Sequence, residues 1–493
     1  NIKNLGTFSA NASDLSDTDN SIINDAILNL TGGTNANAIV NSIGDTSKGV
    51  VNFNGVTQSN GDVTVKVVTN TGDSFVNNAD ISAVTVTNGG TWTNTDGKTV
   101  AGNIKNLGTF SANASDLSDT DNAIVNTGNL ILNGGAANYT ISGTNGTTTI
   151  DTTSTVDINN AISNTTFEIL NGTANLASDN LLSGVSTIKN SSTADVALSF
   201  INDTVTNNID LHNVQLTKDM NIGIDTDLSG TPTADSFTAT SVTGGNILIN
   251  KLNILEDITS ETPAYVLVAN GDLKNSFDLN SNVTGTPTGT FGSYIITYVK
   301  NQDVTEKTLD NGGYLKFALG NLQTAILSTA QTKVYTLPEN EPALTADPLT
   351  LGGDSLSVIG GGHKITGSST VGDGGILVST NTTTGNSQTL SISNVSEFSG
   401  FKTAITNNGG TINLTDVVFS NNTNDIANIS GTLNLYGTDE ITNITGSGIT
   451  YISTDVDGNN ANVTFNDGGS IAQSTIIVDA DNTLNNNASI SAT

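Results

Sequence analysis

The chain is predicted to fold as an all-β protein assembled from β-solenoid segments, and three observations predict it. Residues 1–20, NIKNLGTFSANASDLSDTDN, return without a change at residues 103–122, and a long internal period marks stacked repeats. Short apolar or alternating runs end again and again in Asn/Gly corners: AILNLTGG (26–33), VTVTNGG (84–90), NLILNGG (129–135), FEILNGT (167–173), TAITNNGG (403–410) and NVTFNDGG (462–469). Such period-two runs read as strands with one buried face. The composition agrees, because Asp, Asn and Gly suit tight turns whereas helices favour Glu, Lys, Arg, Gln and Ala. Here the 46 acidic residues are mostly Asp, and the 15 basic residues are all Lys.

The strands need a thin core, and the chain has one to offer: 35% of its 493 residues are hydrophobic, enough to set it apart from a disordered polymer. Aromatics are only 5%, whereas β-sandwich modules commonly pin each core with aromatic residues. A solenoid asks only for Ile, Val and Leu inside each coil and small polar residues at its corners. Stacked coils also let corner Asn side chains pair in a ladder. Added coils leave their neighbours undisturbed, since each touches only the next, which explains how a verbatim duplication survives.

Proline divides the chain. All six prolines lie between Pro232 and Pro348, and proline is excluded from strands paired on both sides. The expected organisation is a solenoid segment over 1–225, a β-rich interruption over 226–315 and a second β-helix over 316–493. Within the interruption AYVLVANGDL and GSYIITYVKN read as hairpin strands, with GTPTGT as the turn before the second. YLKFALGNLQTAILSTAQ (314–331) is the one helix expected, its Leu315, Leu319, Leu322, Ile326 and Ala330 sharing a face.

That helix, the strand KVYTLP and the run LTLGGDSLSVIGGGHKITG resemble the opening of right-handed parallel β-helix proteins, in which a short helix caps the first coil. SISNVSEFSGFKTAITNNGGTINLTDVVFSNNTNDI (391–426) resembles the passenger domains of autotransporters and of the polymorphic membrane protein family, whose repeats carry F-x-x-N, here Phe419, Ser420, Asn421 and Asn422. NNGG stands where that family has G-G-A-I. The resemblance is detailed over 315–493 and implies a right-handed parallel β-helix exported to the Gram-negative cell surface as an adhesin-type passenger. The absence of Cys fits the periplasmic route. The chain begins inside a repeat, as expected of a processed or excised portion of a longer protein whose translocator lies elsewhere; no C-terminal run has the alternation of a membrane barrel.

Charge and residue types restrict the chemistry. A net charge of -31, with Lys scattered singly, opposes nucleic acid and acidic polysaccharide. Polygalacturonases of β-helical fold use clustered Asp with an Arg-Ile-Lys, which a chain without Arg cannot supply. His212 and His363 read as polar positions at a strand edge or turn. Hydrolysis of neutral glycans by two carboxylates is the alternative to a non-catalytic role, and no pair is marked for it.

Calcium is the cofactor considered, since it takes oxygen ligands. Asp14, Asp17 and Asp19, repeated as Asp116, Asp119 and Asp121, place carboxylates close together twice. Asp225 with Asp227, and Asp455 with Asp457, form further pairs, none with EF-hand spacing; solvated turn Asp is the plainer reading of all of them. Asn-x-Ser/Thr triplets such as Asn145-Gly-Thr are expected by chance in this composition, and the Thr-x-Thr runs at 83–87 and 145–153 lack the coil-to-coil regularity of an ice-binding face. Trp92, in GGTWTNTDG, is either a coil filler or the exposed aromatic of a ligand site. The function expected is an extracellular structural or adhesive role, with self-association into fibres or a surface array, or a host or neighbour-cell ligand, as partner.

Overall fold

The computed structural model describes the chain except residues 1, 16–20, 73, 119–122, 257–262, 285–287, 290–291, 302–307, 330–331, 338–342, 345–347, 368–373, 456–457 and 493. The described residues are nearly all β, with parallel sheets arranged as a β-solenoid of about 21 turns and one short α-helix among them. Two compact units divide it: Asn1–Ile222 with Phe237–Asn246, and Gly223–Ser236 with Ile247–Thr493.

In the first unit one parallel ladder passes through 75–77, 91–94, 109–112, 129–132, 147–150, 166–169, 187–190, 213–216 and 241–243. Strands alternate inward apolar and outward polar residues, as in Val63–Asn70 and Ile81–Asn88. Inward residues stack in register, so an aromatic column forms: Phe53 on Phe75, Phe75 on Trp92 and Trp92 on Phe110, with ring centroids 4.8, 4.7 and 5.0 Å apart. Those spacings match the ~4.8 Å between paired strands. Trp92 is fully buried in the column, so it fills a coil and is no exposed ligand-binding aromatic.

The corners obey one rule. Asn4 donates through Nδ2 to Asn24 Oδ1, Asn70 to Asn88, Asn88 to Asn106 and Asn106 to Asn126, each at 2.8 Å. A second column joins Asn35 to Ser59 at 3.0 Å and Asn77 to Asn94 at 2.7 Å. Most of these side chains are buried, and a polar group in such a place must be hydrogen-bonded. Asn does this by donating to the coil above while its oxygen accepts from its own turn.

In the second unit Thr226–Asp227 pairs antiparallel with Thr233–Ala234 beside Pro232. AYVLVAN (Ala264–Asn270) and GSYIITYVK (Gly292–Lys300) do not pair with each other as the hairpin reading expects. Both run antiparallel to a third strand, Gly312–Gly320, which occupies half of the expected helix. YLKFALG alternates with period two, and Leu315 and Phe317 are fully buried on that strand. Among the described residues of that stretch, Leu322–Leu327 alone is α-helical, capped by Asn321, whose side chain accepts from Thr324 N at 2.7 Å. The sheet continues into Thr332–Thr336, antiparallel to Gly292–Lys300 and parallel to Ser355–Ile359. From there parallel coils run on, and one inward column reads Leu349, Ile376, Ile405, Ile426, Ile444, Ile471 and Ile490. The described prolines Pro232, Pro263 and Pro348 all lie outside strands.

Candidate functional site: the duplicated acidic corner

The two copies of the duplicated segment take the same local form. A strand ends at Asn4 or Asn106, a second begins at Thr7 or Thr109, and a 3-10 turn follows at Ala12–Leu15 or Ala114–Asp116. In each turn an Asn oxygen accepts the amide two residues on: Ser13 N to Asn11 and Ser115 N to Asn113, both 3.0 Å. The serine hydroxyl then accepts from the next coil, Thr34 N at 3.1 Å and Ala136 N at 2.8 Å. Asn and Ser are residues whose side chains mimic backbone turns in this way.

Asp14 and Asp116 sit in these turns, while Asp17, Asp19, Asp119 and Asp121 lie outside the described residues. Asp116 Oδ2 accepts Gly97 N at 2.8 Å. Its carboxyl is held above the ordinary range by burial, with the charges of Asp96 and Asp80 adding to the rise and the Gly97 bond opposing it. Asp96 accepts Asn113 Nδ2 at 2.9 Å, Asp80 accepts Thr99 N at 2.9 Å, and Asp62 accepts Asp80 N at 3.0 Å. Each acid thus bonds a donor of a neighbouring coil, and together they concentrate negative charge along one side of the unit. Such a column attracts cations, although no group of three or more potential metal ligands converges among the described residues.

Of the other acidic pairs, Asp227 and Asp455 build turns, whereas Asp225 bonds a strand distant in sequence. Asp227 Oδ1 accepts Ser229 N at 2.9 Å, and Asp455 accepts the amide and side chain of Asn459 at 2.8 and 2.9 Å. Asp457 lies outside the described residues. Asp225 is buried and accepts Asn253 Nδ2 at 2.5 Å. His363 lies in a turn, its amide donating to Gly360 O at 2.9 Å. His212 has φ +54° and its Nδ1 lies 3.2 Å from Asp210 Oδ2. Asp210 and the buried Asp179 line one cleft with Leu182, Ile188 and Phe200, about 250 Å³ including the solvent at its mouth, below the usual size of a small-molecule site.

The F-x-x-N motif also has a stacking role. Phe419 is buried against Phe398, centroids 5.2 Å apart. Asn422 clasps the coil below, donating to Phe398 O at 2.7 Å and accepting Phe401 N at 3.0 Å.

Sequence reasoning missed the buried ionisable groups of the second unit. Asp439 is fully buried and accepts Val417 N at 2.8 Å; burial pushes its carboxyl well above the ordinary range. Asp425 is raised for the same reason, against the Asn422, Thr442 and Asn443 donors it accepts from. Lys333 is buried and donates to Ser328 O at 2.6 Å, and burial lowers its ammonium to about 8. Nothing in the sequence singles these out, because each stands where an outward polar residue is equally common.

Comparison of the chain with known protein families, with curated proteins and with solved structures finds no match.

Proposed function

We propose that this chain is a non-catalytic structural protein of the Gram-negative cell surface, the exported solenoid of an adhesin or fibre. The observation that carries the proposal is where its polar chemistry goes. Corner Asn, the acids Asp62, Asp80, Asp96 and Asp116, the F-x-x-N asparagine and the turn serines all bond one coil to the next, so residues of the kind that elsewhere perform chemistry here hold the stack together. The acidic coat and the cysteine-free composition suit an exported protein, and the resemblance of 391–426 to autotransporter passengers supports the surface setting.

The experiment is a pair of measurements. Surface labelling or protease shaving of intact source cells should release peptides of this chain, and a screen on neutral and acidic polysaccharides should yield no new reducing or unsaturated ends. Turnover abolished by Asp179→Asn or Asp210→Asn would replace the structural reading with an enzyme working at the cleft. Peptides recovered only after lysis would remove the surface setting.

A further inference from the structure

We infer that Asp416 and Asp439 form a proton-operated latch between adjacent coils of the second unit, closed while Asp439 carries a proton and opened by its loss. The inference goes beyond the structural role proposed above, since it concerns how firmly two coils are joined and not what the stack is for.

The column in which Asp439 stands is otherwise apolar. Val395 pairs with Val417, and Val463 pairs with Leu484. Between those pairs Glu440 lies beside Val418 of the coil below and Thr464 of the coil above, so its neighbour Asp439 takes the inward place between Val417 and Val463. Burial follows the same alternation: Asp439 and Ile441 are fully buried, and Glu440 is partly exposed. A carboxyl here interrupts a run of Val and Leu.

Two reciprocal bonds join this corner to the coil below. Asp439 Oδ1 accepts Val417 N at 2.8 Å, and Asp416 Oδ1 accepts Thr438 N at 2.7 Å. Each acid thus holds the amide next to the other acid. Gly437 has φ +64°, and a Cβ there would lie 2.5 Å from Asp416 Oδ1, so the corner sits tight against its neighbour. Thr464 N donates to Asp439 O at 2.8 Å and ties the same residue to the coil above. Asp439 Oδ2, by contrast, is buried and has no hydrogen-bond partner among the described residues.

An ionised Asp439 would have no cation to offset its burial. Strand Thr403–Ser420 brings Asp416, which has the same sign. Strands Asn424–Tyr436 and Glu440–Thr445 bring Asp425, Tyr436 and Glu440, and strand Asn462–Gln473 brings Asp467. None of these strands carries a lysine. A buried charge without a partner of opposite sign is expensive, and taking up a proton removes that cost. Burial is the main force favouring the proton and Asp416 adds to it, while the Val417 bond and, least of all, the Tyr436 main chain oppose it.

When the proton leaves, like charges stand on both sides of the clasp. The nearest relief is for the corner at Thr438, already exposed, to swing out and admit water. Each coil touches only its neighbours, so the opening is confined to the coils that carry Asp416, Asp439 and Val463. The closed state holds a proton that the open state releases at an ordinary carboxylate pKa near 3.9. Opening should therefore rise about tenfold per pH unit above that value and level off once the closed state is itself ionised.

Hydrogen exchange on the chain 1–493, followed from about pH 4 to pH 8 and corrected for the intrinsic pH dependence of amide exchange, reads this opening. The amides of Val417, Thr438 and Thr464 should show the rise. Those of Asn129 and Thr147, bonded between coils of the first unit, should stay flat. Asp439→Asn keeps an oxygen for Val417 N and cannot ionise, and Asp439→Val restores the apolar column; each should abolish the rise. An infrared band of a protonated carboxyl that persists where ordinary carboxylates are ionised should be missing from both variants. No rise in the native chain, a rise kept in either variant, an equal rise in the first unit, or no difference in that band overturns the latch. Each of those results leaves the surface-labelling and polysaccharide outcomes untouched, so failure here is distinct from failure of the structural role.

Discussion

Asn106 shows what a single corner residue contributes. It accepts from Asn88 and donates to Asn126 Oδ1 and Asn129 O at 2.8 and 3.0 Å, all in a buried setting. Asn106→Ala strands donors and acceptors on three coils, and an unsatisfied buried polar group costs about 1–3 kcal/mol. The expected loss is at the upper end of that range, read as a lower urea midpoint for the first unit. Asn4→Ala, which joins fewer neighbours, should cost less than half as much; equal losses would remove the asparagine column as a stabilising element. Asp439 makes the opposite kind of prediction. Its folded pKa is raised by burial, so the folded state holds a proton that the unfolded chain releases at an ordinary carboxylate pKa near 3.9. The associated stability is fully present below that value and is lost as pH rises through the folded pKa. Asp439→Asn should therefore raise the denaturation midpoint at pH 8 and leave it little changed at pH 4. A gain of equal size at both pH values would show that Asp439 is not protonated in the fold.

Strands and corners were legible in the sequence because their signals are local: alternation every two residues, then Asn and Gly where the backbone must turn. The duplicated turn was legible for the same reason, although its role as a coil-to-coil clasp was not, since Ser13 and Ser115 bond residues 21 positions away. The helix expected over 314–331 failed at its first half. Leu315 and Leu319 fit a helical face, but Tyr314 to Leu319 fit strand alternation equally well, and two flanking antiparallel strands decided the matter through a pairing remote in sequence. The aromatic column was likewise invisible, because Phe53, Phe75, Trp92 and Phe110 are spaced irregularly and meet only once coil lengths are known. Its worth is measurable. Trp92→Ala should destabilise the first unit by about 3–5 kcal/mol, the range for truncating a buried large aromatic. As the sole Trp, Trp92 should also fluoresce as a buried indole and shift to the red in the same transition that melts the first unit. Emission already typical of exposed indole in the native protein would contradict the column.

At the scale of the whole molecule, charge opposes what the strands build. A net charge of -31 opposes stacking of the coils, and along the column Asp96 and Asp80 add to the rise that burial gives the Asp116 carboxyl. Raising monovalent salt from about 0.01 M to 0.15 M shortens the screening length from about 30 Å to about 8 Å, so melting temperature should rise with sodium chloride even in a protein that binds no specific ion. Calcium at equal ionic strength separates screening from binding, because oxygen ligands on adjacent coils suit that ion and a bound cation would stabilise the fold by mass action. The expected result is a melting temperature higher in calcium than in sodium, with the difference shrinking in Asp96→Asn. That variant removes one of the charges acting on Asp116 while keeping an oxygen to accept from Asn113. The same substitution should stabilise the first unit slightly in sodium alone, since like-charge repulsion then falls. If calcium and sodium melt the protein at the same temperature, the acidic column serves only to bond coils and to carry charge, and cations reach this surface as a diffuse atmosphere without a fixed place.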